Sequence, residues 1–332
     1  ATLALKNKAI RKQIQLAFKN EADSICMNIL IYTPNKKLMA PVFLGYNFAG
    51  NHLLHNDPFI LIDGKKENEL SGDSFEKFKT QKRGERTSRW AIEMIIESGY
   101  GRVTLNYNDV DPDKNDFSDG IHSLLYNSYQ IKPEDDQWGS ISAWAWGMSR
   151  VMDYLETETL IDENKVILFG HSRLGKTSLW AGALDQRFSI VISNNSGCGG
   201  AALSRRRFGE KVSDITTNWS HWFAKNFQKY SENESSLPID QHMLIALIAP
   251  RPVYVASASK DSWADPRGEF ISAKQASKVY KLYGMQGIEL YDYPKVNTPI
   301  HQSIGYHLRD GKHDVTVYDW TQYIKFANMH LN

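Results

Sequence analysis

One short stretch of the sequence carries residue types that can do chemistry, and it fits two different mechanisms. Gly170, His171 and Ser172 can form a sharp strand-to-helix turn that exposes a serine hydroxyl above a sheet as a nucleophile. The same stretch, over residues 170–177, matches the Gly-x-x-x-x-Gly-Lys-Thr pattern of a loop that binds phosphate groups. The two mechanisms require different partner residues, so the rest of the sequence must decide between them.

The nucleophile interpretation requires an acid and then a histidine, each in a loop after a strand and both C-terminal to the serine. Asp261 follows a predicted buried strand, and His313 follows the last predicted strand. A serine hydroxyl becomes a good nucleophile when an imidazole takes its proton, and the imidazole needs a carboxylate that fixes its tautomer and stabilises its charged form. The order Ser172, Asp261, His313 therefore predicts the catalytic triad of an α/β-hydrolase.

The phosphate-binding interpretation is less consistent with the surrounding sequence. A phosphate loop usually follows the first strand of its domain, whereas at least four predicted strands precede this one. Such a loop presents the backbone amides of small residues, whereas the bulky His171, Arg173 and Leu174 stand here. We therefore favour the nucleophile turn. It is a variant of the usual Gly-x-Ser-x-Gly pattern, because the fifth residue is Leu174 and the glycine comes one place later, at Gly175.

The composition argues against several other classes of protein. With 42% hydrophobic residues, 23% charged residues and a net charge of +1, the chain lacks the basic excess typical of nucleic-acid or anionic-membrane partners. Its longest apolar runs, such as residues 243–249, are too short to span a membrane. Cys26 and Cys198 lack metal or redox spacing, and we expect two buried thiols. No signal-peptide core is visible, so we expect either a cytoplasmic protein or the mature form of an exported one.

Strand patterns alternate with helical patterns along most of the chain, which predicts an α/β fold with helices on both faces of a mostly parallel sheet. We predict strands at 9–18, 26–32, 41–46, 102–107, 166–169, 190–192, 251–257 and 304–307, and helices at 90–97, 141–155 and 272–283 and after Ser172. A short turn joins the first two strands, which should therefore be antiparallel. We expect a single domain over residues 1–332, with a surface insertion at about 63–89 and a helical insertion at about 205–243.

Several other conspicuous residues have simple structural explanations. The run of residues 109–113 is rich in aspartate but lacks the glycine and the distant glutamate of a calcium-binding loop, so we expect a plain acidic loop. Trp144 has the helical spacing of a core residue. Among the ten histidines, we expect His171 to support the nucleophile turn and His307 to be structural.

Four segments of the sequence resemble a known family. They are GHSRLGK at 170–176, SGCGGAALSRRRFGE at 196–210, DSWADPRGEF at 261–270 and GKHD at 311–314. Over about residues 25–330 the chain resembles the glucuronoyl esterases of carbohydrate esterase family 15, and it is most similar to their bacterial branch. The resemblance implies a three-layer α/β-hydrolase that uses no metal or other cofactor. It also implies an exported enzyme whose substrate is the ester between (4-O-methyl)glucuronic acid of xylan and a lignin alcohol. We expect a monomer.

The resemblance assigns roles position by position. It implies that Ser172 is the nucleophile, that His313 is the base, and that the side chain and backbone amide of Arg173 stabilise the oxyanion. It further implies sugar-contacting roles for Lys176, Glu210 and Trp263. Without the resemblance, the glutamate would be interpreted as a surface carboxylate and the tryptophan as a packing residue.

One position departs from the family pattern. Many members place the catalytic acid as a glutamate just after the strand that follows the nucleophile, and Asn195 stands at that position here. An amide cannot balance the charge of an imidazolium, so we expect the acid to be Asp261, with Asp265 as the alternative. Because Asp265 precedes Pro266, it is better explained as a turn-former. The sequence is also compatible with two other functions: an acetylxylan or other carbohydrate esterase, and a carbohydrate-binding homologue with little or no catalysis.

Overall fold

One sheet runs through the part of the chain that the computed structural model describes, which comprises residues 1–21, 23–126, 129–289 and 292–331. Nine strands form it within these residues: β1 (Thr2–Ala4), β2 (Ala9–Lys19), β3 (Ser24–Pro34), β4 (Ala40–Leu44), β5 (Gly101–Thr104), β6 (Ile161–His171), β7 (Ile190–Asn194), β8 (Val253–Ala258) and β9 (Ile304–Arg309). Their order across the sheet is β1-β2-β3-β5-β4-β6-β7-β8-β9.

The pairing of the strands confirms the predicted mixed sheet. The pairs β1–β2, β2–β3 and β3–β5 are antiparallel, whereas all pairs from β5–β4 to β8–β9 are parallel. Every residue of β4, β7 and β8 is buried, as expected of strands that are covered on both faces. The carboxyl ends of β6, β7, β8 and β9 therefore lie side by side at one edge of the sheet.

Ten α-helices lie within the described residues: α1 (Gly72–Thr80), α2 (Thr87–Trp90), α3 (Ile92–Glu97), α4 (Gly120–Leu125), α5 (Ser140–Leu155), α6 (Arg173–Leu184), α7 (Val212–Asn218), α8 (Gln241–Ala246), α9 (Pro266–Leu282) and α10 (Val317–Leu331). They form a layer on each side of the sheet. Helices α5, α6, α8 and α9 contribute to one hydrophobic core, and α3 and α10 to the other. Alternate residues of the central strands enter opposite cores, such as Leu168 in the first and Ile167 and Phe169 in the second.

Several predicted element boundaries are wrong. The helix predicted at 90–97 is interrupted at Ala91, whose φ of 41° is left-handed. The strand predicted at 102–107 ends at Thr104, and a 3-10 turn follows at Tyr107–Asp109. Helix α9 begins six residues before the predicted Ser272, because Pro266 suits the first turn of a helix and Asp265 caps it. Strand β1 and helix α10 were not predicted.

The two segments expected to be insertions both contain short helices. Residues 63–89 include α1 and most of the length of α2, and residues 205–243 include α7 and 3-10 turns at Lys225–Tyr230 and Glu234–Ser236. The division of the chain into one domain with these two insertions stays a prediction. Both cysteines are free; Cys198 is buried as expected, but Cys26 is half-buried, so the expectation of two buried thiols is wrong for Cys26. None of the helices in the described ranges combines the length and apolar character needed to cross a membrane.

Candidate active site

The turn between β6 and α6 holds Ser172 in a strained backbone conformation. Its φ of 59° and ψ of −129° are unfavourable for a residue with a side chain, and such strain is typical of a nucleophile turn. Two glycines make the turn sterically feasible. A Cβ atom on Gly170 would lie 1.8 Å from the carbonyl oxygen of Leu174, and one on Gly175 would lie 2.9 Å from Cβ of Ser196. The main chain of α6 thus comes closest to the end of β7 at position 175, and a glycine is needed there and not at position 174. This accounts for the variant spacing of the motif.

The predicted acid and base are in contact. His313 lies in the loop after β9 and Asp261 in the loop after β8, and Nδ1 of the histidine is 2.6 Å from Oδ2 of the aspartate. Because a carboxylate only accepts hydrogen bonds, Nδ1 carries a proton, and in the neutral imidazole Nε2 then has the free lone pair. The carboxylate side chain is 5% exposed and the imidazole is 42% exposed. Both line a cavity of about 270 Å³ together with Ser172.

The loops that carry Asp261 and His313 are joined by backbone hydrogen bonds. The amide of Ser259 donates to the carbonyl oxygen of Arg309, and the amide of Lys260 donates to that of Gly311, both over 2.8 Å. These bonds continue the β8–β9 pairing beyond the ends of the strands. The sheet itself therefore sets the distance between the two loops.

Asp265 has other partners and does not line this cavity. One of its oxygens accepts a hydrogen bond from the amide of Gly268 at the start of α9. The other pairs with Nε of Arg206 over 2.7 Å. These contacts match the turn-forming role that was predicted for this residue.

The ring of His171 packs against the ring of His313, with 4.6 Å between their centroids. Its Nδ1 donates to Oδ1 of Asn194 over 2.6 Å. Burial, and secondarily the positive charge that His313 can carry, hold the pKa of His171 well below its ordinary value. A neutral His171 therefore packs against the ring of His313, and its predicted support of the nucleophile turn stays a prediction.

The guanidinium of Arg173 is held by an acid and two aromatic rings. Its Nη1 pairs with Oδ2 of Asp113. Its central carbon lies 5.0 Å from the ring centroid of Trp219 and 4.9 Å from that of Trp222. Cation–π contacts of this kind favour an oriented, partly desolvated guanidinium. Arg173 also lines the cavity beside Ser172.

Asp113 was not predicted as part of this site, although it anchors the guanidinium of Arg173. It accepts hydrogen bonds from His221 over 2.9 Å, from Trp222 over 2.8 Å and from Tyr107 over 2.9 Å, in addition to its pair with Arg173. Burial alone would raise the pKa of Asp113, but the hydrogen bond from His221 and the charge of Arg173 outweigh it and lower the pKa. Within the loop at 109–113, which was expected to be a plain acidic loop, Asp113 therefore serves as the anchor of Arg173.

Lys176 lies on α6 with only 3% of its surface exposed. Its ammonium donates to the carbonyl oxygens of Ser196 over 2.8 Å and Cys198 over 2.6 Å, and to Oε2 of Glu210 over 2.8 Å. These bonds use all three N–H donors of the lysine. Both charged residues line the cavity, and so does Trp263, which is 55% exposed. All six residues predicted by the resemblance, together with Asp261, thus surround one cavity.

Asn195 lines the same cavity and is 2% exposed. Neither its side-chain oxygen nor its side-chain nitrogen has a hydrogen-bond partner among the described residues. Its φ is 46°, so the chain leaves β7 in a left-handed turn at this point.

The fold and the site together define a class of protein. A serine on a sharp strand-to-helix turn, an acid after a later strand and a histidine after the last strand, on a mostly parallel sheet between two helical layers, are the features of an α/β-hydrolase. Within this superfamily, comparisons with known proteins show the family.

A family profile described as glucuronyl esterase of fungi matches residues 87–284. A carbohydrate esterase from an unknown prokaryotic organism is 51% identical over 99% of this chain and 77% of its own length. The solved structure of the glucuronoyl esterase from Solibacter usitatus has a TM-score of 0.91 at 44% identity, covering 100% of this chain and 84% of that one. A promiscuous CE15 esterase from a marine bacterial metagenome has a TM-score of 0.87 at 50% identity, over 99% and 83% of the two chains.

Fungal relatives are more distant. The 4-O-methyl-glucuronoyl methylesterase of Podospora anserina is 30% identical to this chain. The matched segment covers 64% of this chain and 45% of that protein. This chain belongs to the glucuronoyl esterase family, carbohydrate esterase family 15, and so to the carboxylic ester hydrolases.

Proposed function

We propose that this chain hydrolyses the ester between (4-O-methyl)glucuronic acid of xylan and an alcohol of lignin. One observation carries the proposal: Ser172, His313 and Asp261 share a cavity with the charged pair of Lys176 and Glu210. The first three residues suit attack on an ester carbonyl, and the charged pair suits recognition of sugar hydroxyls. The membership of the chain in the glucuronoyl esterase family supports a uronoyl acyl group.

The proposed reaction proceeds through an acyl-enzyme. Ser172 attacks the ester carbonyl while Nε2 of His313 takes its proton, and Asp261 stabilises the resulting imidazolium. The backbone amide of Arg173, at the first position of α6, and the guanidinium of the same residue stabilise the oxyanion. His313 then donates its proton to the departing alcohol. Water releases the glucuronate by the reverse sequence of proton transfers.

The sugar is proposed to lie against Glu210 and Trp263. Since the ammonium of Lys176 already makes three hydrogen bonds, its main contribution is to hold the carboxylate of Glu210 in place. Oε2 of Glu210 is bound to the lysine, so its other oxygen is the acceptor offered to sugar hydroxyls. The exposed indole of Trp263 offers an apolar face and one N–H donor.

The proposed natural substrate also bears on where the enzyme works. Xylan linked to lignin is an insoluble polymer that does not cross a membrane, so we propose that the protein acts outside the cytoplasm. Recovery of the activity from the periplasm or the culture medium of the producing organism would support this location. Recovery only from the cytoplasmic fraction would contradict it.

A panel of esters tests the proposed specificity. We expect kcat/KM to be highest for methyl and benzyl esters of glucuronic acid, lower for methyl galacturonate and lowest for acetylated xylan. The opposite order would favour an acetylxylan or other carbohydrate esterase. Covalent labelling of Ser172 by a fluorophosphonate distinguishes an esterase from a homologue that only binds carbohydrate. Titration with ATP and magnesium tests the phosphate-binding alternative, for which we expect no binding.

A further inference from the structure

Arg309 is a buried arginine at the end of β9, and its guanidinium contacts the loop that carries His313. Its Nη2 donates to the carbonyl oxygens of Lys312 over 2.9 Å and Asp314 over 3.0 Å, which are the two residues that flank the histidine. Its Nη1 donates to the carbonyl oxygen of Asp310 over 3.0 Å. One side chain therefore fixes the peptide groups on both sides of His313.

The loop wraps closely around this guanidinium. Gly311 has a φ of 126°, and a Cβ atom at this position would lie 2.6 Å from Nη1 of Arg309. A side chain at position 311 would therefore have to displace the guanidinium. The path of the loop and the position of the arginine depend on each other.

A buried carboxylate orients the arginine. Oδ2 of Asp319, in the first turn of α10, lies 2.9 Å from Nε of Arg309. Asp319 also accepts hydrogen bonds from Nε2 of His307 over 2.8 Å and from the amide of Thr316 over 2.7 Å. Burial would raise the pKa of Asp319, but the hydrogen bond from His307 and the charge of Arg309 outweigh it and lower the pKa. The ion pair is therefore charged and has satisfied hydrogen bonds.

We propose that Arg309, oriented by Asp319, is a positioning residue for His313 during ester hydrolysis. The proposal rests on the proposed function, because it takes His313 as the base. Asp261 fixes the rotation of the imidazole through Nδ1, whereas Arg309 fixes the main chain from which the imidazole projects. A displacement of about 1 Å at a reacting group can cost about 10²-fold in rate. The main-chain anchor therefore matters for kcat.

Arg251 provides a matched control for a purely stabilising role. It is half-buried, whereas Arg309 is buried, and it likewise donates to three backbone carbonyl oxygens: those of Asp185 and Phe188 over 3.0 Å, and that of Gly182 over 2.6 Å. It precedes β8, so it lies at the edge of the sheet opposite the candidate active site. Loss of Arg251 should lower stability in a similar way without displacing His313.

The test compares Arg309→Met, Arg309→Lys and Arg251→Met by kcat and KM on a benzyl ester of glucuronic acid, well below the lowest melting temperature. We expect Arg309→Met to lower kcat about 10²-fold with KM changed less than about threefold, as expected for lost transition-state geometry. Arg309→Lys keeps the charge beside Asp319 but lacks the planar fork, so we expect a loss of about tenfold. Arg251→Met should lower the melting temperature and leave kcat unchanged.

Three outcomes would overturn the proposal. A folded Arg309→Met with the kcat of Arg251→Met would show that the arginine only stabilises the fold. If Arg309→Met does not fold, a wild-type kcat in Arg309→Lys would likewise show that the arginine only stabilises the fold. Failure of both Arg309 variants to fold, while Arg251→Met folds, would assign Arg309 to stability. Ser172→Ala and His313→Ala are measured alongside, because activity retained in both would instead contradict the proposed function.

Discussion

Arg173 is oriented before any ligand is bound. Its guanidinium pairs with Asp113 and lies within about 5 Å of the ring centroids of both Trp219 and Trp222. A hydrogen-bond donor that is already fixed needs no reorganisation when negative charge develops on the oxyanion, and this accounts for much of the effect of such donors. Asp113 does not line the cavity, yet we infer that it acts on the reaction through the arginine.

Replacement of this arginine should affect the transition state more than the bound substrate. We expect Arg173→Ala to lower kcat about 10²-fold, because loss of one oxyanion donor typically costs 10²- to 10³-fold and the backbone amide remains. Asp113→Asn should cause a smaller loss, since the guanidinium stays but loses its charged partner. Steady-state kinetics on the benzyl ester measures both effects. A rise in KM with unchanged kcat would mean that Arg173 only binds substrate.

The two candidate acids should respond differently to the same substitution. We expect Asp261→Asn to lower kcat about 10³-fold or more, because an amide cannot hold His313 in the productive tautomer and charge. Asp265→Asn should leave kcat near the wild-type value and lower stability by about 1 kcal/mol, as for a weakened helix cap. Kinetics and thermal unfolding of both variants test this. Loss of activity in Asp265→Asn with an active Asp261→Asn would reverse the assignment.

At the level of residues, the sequence predicts the site well where chain order carries the information. The order of Ser172, Asp261 and His313 is sufficient to select them, because each follows a predicted strand. Asp113 could not be found in this way. Its partner is 60 residues away in sequence, and an aspartate in an acidic loop looks the same whether it is solvated or buried.

Among the elements, the turn between β6 and α6 has the tightest steric requirements. Its two glycines, Gly170 and Gly175, face atoms at distances that no Cβ atom could tolerate without movement. A Cβ atom on Gly175 would meet Ser193 and Ser196, so this glycine also determines how closely α6 packs against the end of β7. The glycine at position 175 instead of 174 is therefore explained by the packing of α6 against β7, and it does not require a different type of turn.

Gly175→Ala should lower both stability and activity. We expect a loss of about 1–3 kcal/mol in the free energy of unfolding, as is typical of an overpacked site, with a reduced kcat because α6 carries the start of the oxyanion site. Gly72→Ala is the control, since a Cβ atom there meets nothing within 4 Å and the cost is limited to its positive φ. Chemical denaturation and kinetics measure both. Equal losses in the two variants would contradict the packing argument.

Helix α9 places a buried acid beneath the loop that follows β7. Glu269 accepts hydrogen bonds from the amides of Ser196 over 2.7 Å and Gly197 over 3.0 Å, and from the hydroxyl of Ser257 over 2.6 Å. Burial raises the pKa of Glu269 to about 7, despite these donors. The element thus connects the ends of β7 and β8 through one titratable group.

This raised pKa predicts how stability depends on pH. The folded protein holds the proton of Glu269 up to about pH 7, whereas the unfolded chain releases it near the ordinary pKa of 4.5. The contribution of Glu269 to stability is therefore lost as the pH rises from 4.5 to about 7. The slope is at most about 1.4 kcal/mol per pH unit. In Glu269→Gln, the amide oxygen can accept from the two backbone amides and the amide nitrogen can donate to Ser257.

We therefore expect Glu269→Gln to gain stability relative to the wild type as the pH rises from 5 to 8. Denaturant unfolding at several pH values gives the free energy of unfolding of each protein. Subtracting one value from the other removes the contributions of the other titrating groups. A constant difference between the proteins over this range would contradict the raised pKa. A variant that no longer folds at any of these pH values would show instead that the charge itself is required.

The elements that were missed lack a clear local signal. Helix α9 starts with Asp265 and Pro266, which also suit a turn, and only the capping hydrogen bond to Gly268 shows that the helix begins there. The break at Ala91 has no glycine or proline to mark it. Helix α10, which was not predicted, buries Trp320 and Tyr323 against the sheet.

For the molecule as a whole, sheet order brings the site together. Ser172, Asp261 and His313 are far apart in sequence, but β6, β7, β8 and β9 are consecutive neighbours in the sheet. Each parallel strand delivers its following loop to the same edge, and the bonds between the β8 and β9 loops continue the pairing. The alternation of strands and helices predicted this layout, whereas the contacts that fix side chains depend on packing between distant segments.

The central claim is that Ser172 is the nucleophile of a glucuronoyl esterase. Its most direct test is the rate of hydrolysis of a benzyl ester of glucuronic acid by the wild type and by Ser172→Ala, with circular dichroism to show that the variant is folded. We expect the folded variant to lose about 10⁴-fold or more in kcat, because the covalent route is closed and only the surrounding groups remain. Hydrolysis at a near-wild-type rate by the folded variant would contradict the claim.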